Sequence, residues 1–417
     1  MDISKLYKKF ANCSCKREHS CNIKAVEIGA GVLNKLPELC KDYKNILLVF
    51  DTNTHKICGE KIIELLKSKN LTVKVLQSQD KVVIPNEQKL EEIENQVQDA
   101  HLIIGVGSGV INDLCKKVSF DKNLPYFIVA TAPSMDGYAS VGSALILKNM
   151  KITLNARPPL AIIADTNILK DAPLDMIKAG YGDIIGKFSC LNDWELSSFI
   201  NGEYFCKNIY NEVYNCAKKI KRLGAKIKKR DPKAIGKLME GLVLVGVLMS
   251  FVGSSRPASG SEHHLSHYFE ITGILNGTEY FTHGIDVIYS ATFLAKIRDK
   301  MILGQPKKRE FDKVDYENQI NRIYTKSATE VIKLQQKLGW YNKDDSDFIY
   351  ENWAKIVKIL KKAPSFDKFV KMVDSVGLNY QEFEKLYSKE KLDDAILYAK
   401  DLKDRYTFLW LYYAYFR

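Results

Sequence analysis

The chain has 417 residues, 46% of them hydrophobic and 27% charged, which excludes a disordered or collagen-like polymer and makes two domains with an appendage the expectation, at ~150 residues per domain. Lysine and arginine outnumber the acids by 62 to 50, a formal net charge of +12. That excess suits an anionic small substrate as well as it suits nucleic acid.

No apolar stretch follows Met1-Asp-Ile-Ser-Lys5, so no signal peptide is expected, and the predicted location is cytoplasmic. Next come Cys13-Ser-Cys15, His19 and Cys21. The spacing is not the paired Cys-x-x-Cys of a zinc ribbon, so a reduced N-terminal hairpin is expected, with a small zinc knot as the alternative. Short Ile/Leu/Val-rich runs then alternate with helical stretches: residues 25–28, 45–50, 71–76, 101–106, 126–130 and 161–165. This is how a parallel sheet buried on both faces reads, with ligands at the carboxyl ends of its strands. The strand signal stops after Asp165. Residues 169–295 read as helix, including an apolar run of residues 241–252 that is too short to span a bilayer and is predicted to be buried. A Pro- and Lys-rich stretch, Gly304-Gln-Pro-Lys-Lys-Arg309, marks a weak linker before a further helical block. The aromatic end, Phe408-Leu-Trp-Leu-Tyr-Tyr-Ala-Tyr-Phe416, is expected to dock as a terminal helix. The predicted division is therefore an α/β domain over residues 1–166 and an all-α domain over 167–417, extended from about residue 305.

Gly105-Val-Gly-Ser-Gly109 sits where a strand hands over to a helix. Glycines there let the backbone approach a pyrophosphate, and the first helical N–H groups face its charge. The match to G-x-G-x-x-G is incomplete, so a plain tight turn remains the alternative. Asp51, at the end of the second strand, is placed to hold a ribose hydroxyl and would favour NAD over NADP. Thr131-Ala-Pro-Ser134 offers hydroxyls to the same crevice.

Four of the seven histidines fall in two segments: His263, His264 and His267, then His283. His263 and His267 share a helix face, whereas His264 points elsewhere and reads either as packing or as support behind the ligands. Asp183 lies in the small and apolar run Ala179-Gly-Tyr-Gly-Asp-Ile-Ile-Gly-Lys187, where an unpaired buried carboxylate is expensive. Asp183, His263 and His283 would supply one oxygen and two nitrogens, the three-ligand set of a catalytic divalent metal. The alternative is a group of satisfied histidines with a capping aspartate.

Together with Thr131-Ala-Pro-Ser-Met-Asp-Gly-Tyr-Ala-Ser140 and Ser255-Arg-Pro-Ala-Ser-Gly-Ser-Glu-His-His-Leu-Ser-His267, these segments resemble the bacterial sn-glycerol-1-phosphate dehydrogenases. That family is part of the group that holds iron-containing alcohol dehydrogenases, glycerol dehydrogenase and 3-dehydroquinate synthase. The resemblance spans roughly residues 25–290 and leaves the cysteine cluster outside it. It implies an N-terminal Rossmann-like domain and a C-terminal helical domain of the dehydroquinate synthase-like kind, and a homodimer. Residue by residue it implies cofactor contacts at Asp51, Gly109, Val110, Ile111, Asn112, Asp113, Thr131, Ala132, Pro133, Ser134 and Ser140. Asp136, Asp183 and His267 would meet substrate, and Asp183, His263 and His283 would hold the metal.

The chemistry so implied is reduction of dihydroxyacetone phosphate to sn-glycerol 1-phosphate by NADH or NADPH, with NAD favoured. The divalent metal would be zinc, alternatively nickel or iron. Asp183 and His267 are the expected catalytic residues, His267 as proton relay. No basic residue is singled out for the phosphate, Arg256 and Lys187 being guesses. A related polyol dehydrogenase acting on glycerol or dihydroxyacetone is the rival reading. Neither nucleic acid nor membrane is an expected partner, because runs such as Lys218-Lys-Ile-Lys-Arg222 lack interleaved stacking aromatics and read as solvated helix faces.

Overall fold

A computed structural model describes residues 1–77, 83–147 and 150–417. It contains two compact units, Met1–Ile184 with Ala225–Ser255, and Ile185–Gly224 with Arg256–Arg417. The strand-bearing segment ends at Asp165. A single cut near residue 166 marks that change of secondary structure, while packing follows different bounds, because residues 225–255 join the N-terminal unit.

The first unit is organised by a parallel sheet of β1 (Ala25–Gly29), β2 (Asn45–Asp51), β3 (Asn70–Leu76), β4 (Leu102–Gly107), β5 (Tyr126–Ala130) and β8 (Ala161–Asp165), in the order β1-β8-β5-β4-β2-β3. These are the six runs read from sequence. β4, β5 and β8 are buried at every residue, which is why they lack polar alternation. On one face Ile46, Leu48, Phe50, Ile104, Val106, Val129 and Ile163 form a single apolar cluster. Removing one such side chain would cost ~2–5 kcal/mol in lost transfer energy and residual cavity.

An antiparallel hairpin of β6 (Gly142–Leu147) and β7 (Met150–Asn155) was not legible in the sequence. Its first strand only alternates between half-buried and buried, a weak period-2 signal beside the continuous runs of the main sheet.

α1 (Ile3–Phe10) is capped by Asp2, whose carboxylate accepts from the Ser4 and Lys5 N–H groups. α2 (Gly109–Asp121) follows β4 directly. α3 (Leu174–Asn201) runs unbroken for 28 residues, and α4 (Lys207–Lys221) follows it. Lys218, Lys219, Lys221 and Arg222 are exposed, as expected of a solvated face. α5 (Pro232–Val252) is longer than the apolar run predicted: by length and composition its 21 residues could cross a membrane. However, 72% of its most apolar stretch is buried in the fold, so burial, not shortness, explains its composition.

The second unit holds α6 (Ser261–Asn276) and α7 (His283–Met301), then seven helices over residues 313–415, ending in α8 (Phe408–Tyr415). The aromatic terminus docks as expected: Phe408, Leu409, Trp410, Leu411, Tyr413 and Tyr415 are buried. The Phe408 N–H also donates to the buried Asp193 carboxylate at 2.7 Å.

Candidate active site

The sheet order brings β5, β4 and β2 side by side. Phe50 is level with Val106 and Gly107 with Ala130, so Asp51, Gly107 and Thr131 line up at adjacent strand ends, about 4.8 Å apart per strand. After β2 the chain moves outward to β3, and after β4 it moves the other way to β5. This is the switch point at which open α/β sheets bind ligands. Ser108 is the N-cap of α2, whose first turn, Gly109, Val110 and Ile111, carries the unpaired N–H groups that suit a phosphate.

Several predicted cofactor residues also have structural duties. Asp51 Oδ1 accepts from the Asn53 and Thr54 N–H groups, both at 2.8 Å, capping the short helix Thr52–Thr54. Asn112 and Asp113 are buried, and Asn112 Nδ2 donates to Asp113 Oδ1 at 3.1 Å. Their neighbour Lys116, unremarked in the sequence, is fully buried. Its ammonium donates to the carbonyls of Gly137 (2.9 Å) and Gly142 (2.7 Å) and pairs with Asp113 at 3.4 Å. Burial pushes the Asp113 carboxyl up against the pull of Lys116, and pushes the Lys116 ammonium down against the pull of Asp113. The Ser140 hydroxyl donates to the Gly137 carbonyl at 3.0 Å. The only sequence signal for this node was a lysine within the otherwise apolar Leu114-Cys115 and Val118 face of α2.

The loop after β5 is fixed at both ends. The Thr131 N–H donates to the Gly107 carbonyl (3.0 Å), and the Tyr138 hydroxyl to that of Ala132 (2.6 Å). α3 lies hard against this loop: a Cβ at Gly180 would sit 1.8 Å from the Pro133 carbonyl oxygen. One turn on, Asp183 is fully buried and its Oδ2 accepts from the Asp136 N–H at 2.9 Å. Asp136 is buried beside it, so the two predicted substrate-contacting carboxylates are neighbours in this unit.

In the second unit three of the predicted histidines converge. Ring centroids lie 5.2 Å apart for His263 and His283, 5.5 Å for His267 and His283, and 6.5 Å for His263 and His267. His263 Nδ1–H donates to Glu262 Oε1 at 2.5 Å. Burial would raise that carboxyl, but the hydrogen bond from His263 holds it below the ordinary range. Ser266 donates to the His283 carbonyl, and its Oγ lies 3.3 Å from His283 Nδ1. With both Nδ1 atoms tied to second partners, the lone pairs fall on Nε2, the arrangement in which metal-binding histidines are held. The donor set therefore fits a divalent cation. His264 is different: fully buried, kept neutral by burial and by Arg405, Lys403 and Arg256, it packs. Lys187 donates to the Ala258 carbonyl (3.0 Å), and Arg256 to Glu203 (3.0 Å) and the Tyr406 carbonyl (2.7 Å). Both cations considered for the phosphate thus have structural partners.

A glycerol-1-phosphate dehydrogenase of Bacillus licheniformis that uses NAD(P)+ is 36% identical to this chain over 311 residues, 72% of this chain and 77% of the relative. The chain belongs to the glycerol-1-phosphate dehydrogenase family. Residues 27–173 match the family model described as iron-containing alcohol dehydrogenase. The corresponding enzyme of Halalkalibacterium halodurans is 28% identical over 407 residues, 96% of this chain and 95% of its own length, so the likeness extends through the helical C-terminal block. Among solved structures, glycerol dehydrogenase from Schizosaccharomyces pombe has the same fold, with a TM-score of 0.57 at 18% identity over 89% of this chain and 93% of that one.

Proposed function

We propose that the chain catalyses reversible, NAD(P)-dependent interconversion of dihydroxyacetone phosphate and sn-glycerol 1-phosphate, as a cytoplasmic homodimer. The observation that carries this is the convergence of His263, His267 and His283 in a chain 36% identical to such an enzyme. Residues 1–166 take the nucleotide at the β2–β4 switch point, with Gly109, Val110 and Ile111 toward the pyrophosphate and Asp51 toward the ribose. The free ribose hydroxyl accounts for a preference for NAD.

Asp183, His263 and His283 are the residues that would hold one divalent metal, zinc or alternatively nickel or iron. The donor set supports this grouping: one carboxylate oxygen and two imidazole nitrogens suit a catalytic divalent ion. Within the second unit a Cβ at Gly186 would sit 2.4 Å from Val287 Cγ1, one turn beyond His283. When bound, the metal supplies Lewis acidity toward the substrate carbonyl, and the nicotinamide supplies or takes the hydride. The protein's residues do the rest. Asp136 and Asp183 orient the substrate, and an imidazole nitrogen of His267 delivers the proton that the product hydroxyl needs. Burial of Asp183, Asp136 and His263 keeps water from competing.

The test is NADH oxidation with dihydroxyacetone phosphate before and after chelation, with zinc and nickel restored separately. Activity should vanish on chelation, return with metal and be abolished in Asp183→Asn. Turnover of unphosphorylated dihydroxyacetone alone would replace this substrate with a polyol. Unchanged turnover in His267→Ala would remove the relay.

A further inference from the structure

We infer that the N-terminal arm carries a second zinc site that folds the arm, with Cys13, Cys15 and His19 as three of its four ligands. Among these three residues the ligand atoms lie within 4.8 Å of one another. His19 is buried, with Nδ1 3.2 Å from the Phe251 carbonyl and Nε2 3.0 Å from Cys15 Sγ. The Nδ1–H therefore donates to a backbone carbonyl, which leaves the Nε2 lone pair aimed at the thiols. This is the second-sphere pattern of a zinc-bound histidine. The ring is fixed further by Phe10, edge-on at 5.6 Å, and by Phe251, stacked at 5.9 Å. A turn closed by Lys16 N–H donating to the Cys13 carbonyl at 3.0 Å presents both thiols together. Cys21 is held elsewhere: its sulfur lies 3.2 Å from the Tyr7 hydroxyl.

The arm has a physical need for such a staple. Residues 11–24 form neither helix nor strand, and only His19 and Ile23 among them are buried. A segment of that length without regular structure has little apolar burial to offset the entropy of ordering it. Two thiolates and an imidazole are a soft donor set that selects zinc over magnesium or calcium. Binding releases the two thiol protons to solvent, and its free energy becomes folding free energy for the arm. The site would tie the arm to the carboxyl end of α5 through His19 and Phe251, both within the first unit.

The experiment loads the full-length chain with zinc, desalts it and counts metal per chain. Cys15→Ser and His19→Ala should each lose one equivalent, and His19→Cys should restore it, because a thiolate serves as well at that corner. Substituting cobalt(II) in the wild-type chain should give a thiolate-to-cobalt charge-transfer band, which Asp183→Asn leaves unchanged while losing a different equivalent of metal. Equal zinc content in the wild type and Cys15→Ser, or a wild-type cobalt spectrum without that band, overturns the site. Should the serine variant prove insoluble, the wild-type cobalt spectrum decides alone.

Discussion

Asp51 joins an observed duty to a proposed one. Its Oδ1 caps a short helix, and under the proposed function its charge discriminates against a 2′-phosphate. Asp51→Asn separates the two, since asparagine caps as well as aspartate does. The fold should therefore keep its melting temperature. NADPH use relative to NADH should rise by about tenfold, the worth of ~1.4 kcal/mol between charges several ångströms apart in a half-solvated crevice. A fixed cofactor ratio would show that Asp51 is only a cap. Lys116 makes the complementary case. Lys116→Met leaves Asp113 buried without its cation and takes the ammonium away from the Gly137 and Gly142 carbonyls. We expect a loss of ~3–5 kcal/mol in denaturant unfolding and a raised KM for NADH, because the Asp136 to Ser140 segment loses its anchor.

At the level of elements, α8 is held by charge as well as by aromatic burial. Asp193 receives the Phe408 N–H and the Ser261 N–H, and burial followed by the Glu262 charge pushes its carboxyl up to about 6, from 3.8. A carboxyl raised in the folded state binds more protons there than in the unfolded chain between those values. Wild-type stability should therefore fall, relative to Asp193→Asn, as pH rises from about 4 to about 6, and stay level above that. Thermal midpoints of both proteins across that range check the sign. Lys400 and Asp401 form a buried pair at 2.8 Å, with the ammonium 3.8 Å from the Tyr413 ring centroid. Lys400→Met alone should cost ~3–5 kcal/mol by stranding Asp401, and Lys400→Met with Asp401→Leu should recover most of it.

For the molecule as a whole, the last helix is part of the second unit's core. Ending the chain after Thr407 would uncover six buried side chains' worth of partners at ~1.5–3 kcal/mol each, comparable with the entire stability of a typical domain. The truncated chain should be mostly insoluble, and a soluble product with wild-type metal content would show that α8 is dispensable. The deletion concerns packing only, because none of the residues proposed for nucleotide, metal or substrate lies beyond His283.

The six strands of the sheet, the turn into α2, the helical second half and the clustered histidines were all legible in the sequence. Each is encoded locally: continuous Ile/Leu/Val runs fix strands buried on both faces, and i, i+4 spacing puts His263 and His267 on one helix face. The β6–β7 hairpin was not, because a half-exposed alternation of six residues carries little periodic signal. Nor could the sequence show the return of residues 225–255 to the first unit or the grip of Lys116 on Gly137 and Gly142. Those depend on which faces pack together, and packing is set by close approaches such as that at Gly186 between residues a hundred positions apart. The local pattern determined which elements form; the tertiary structure alone decided which side chains meet.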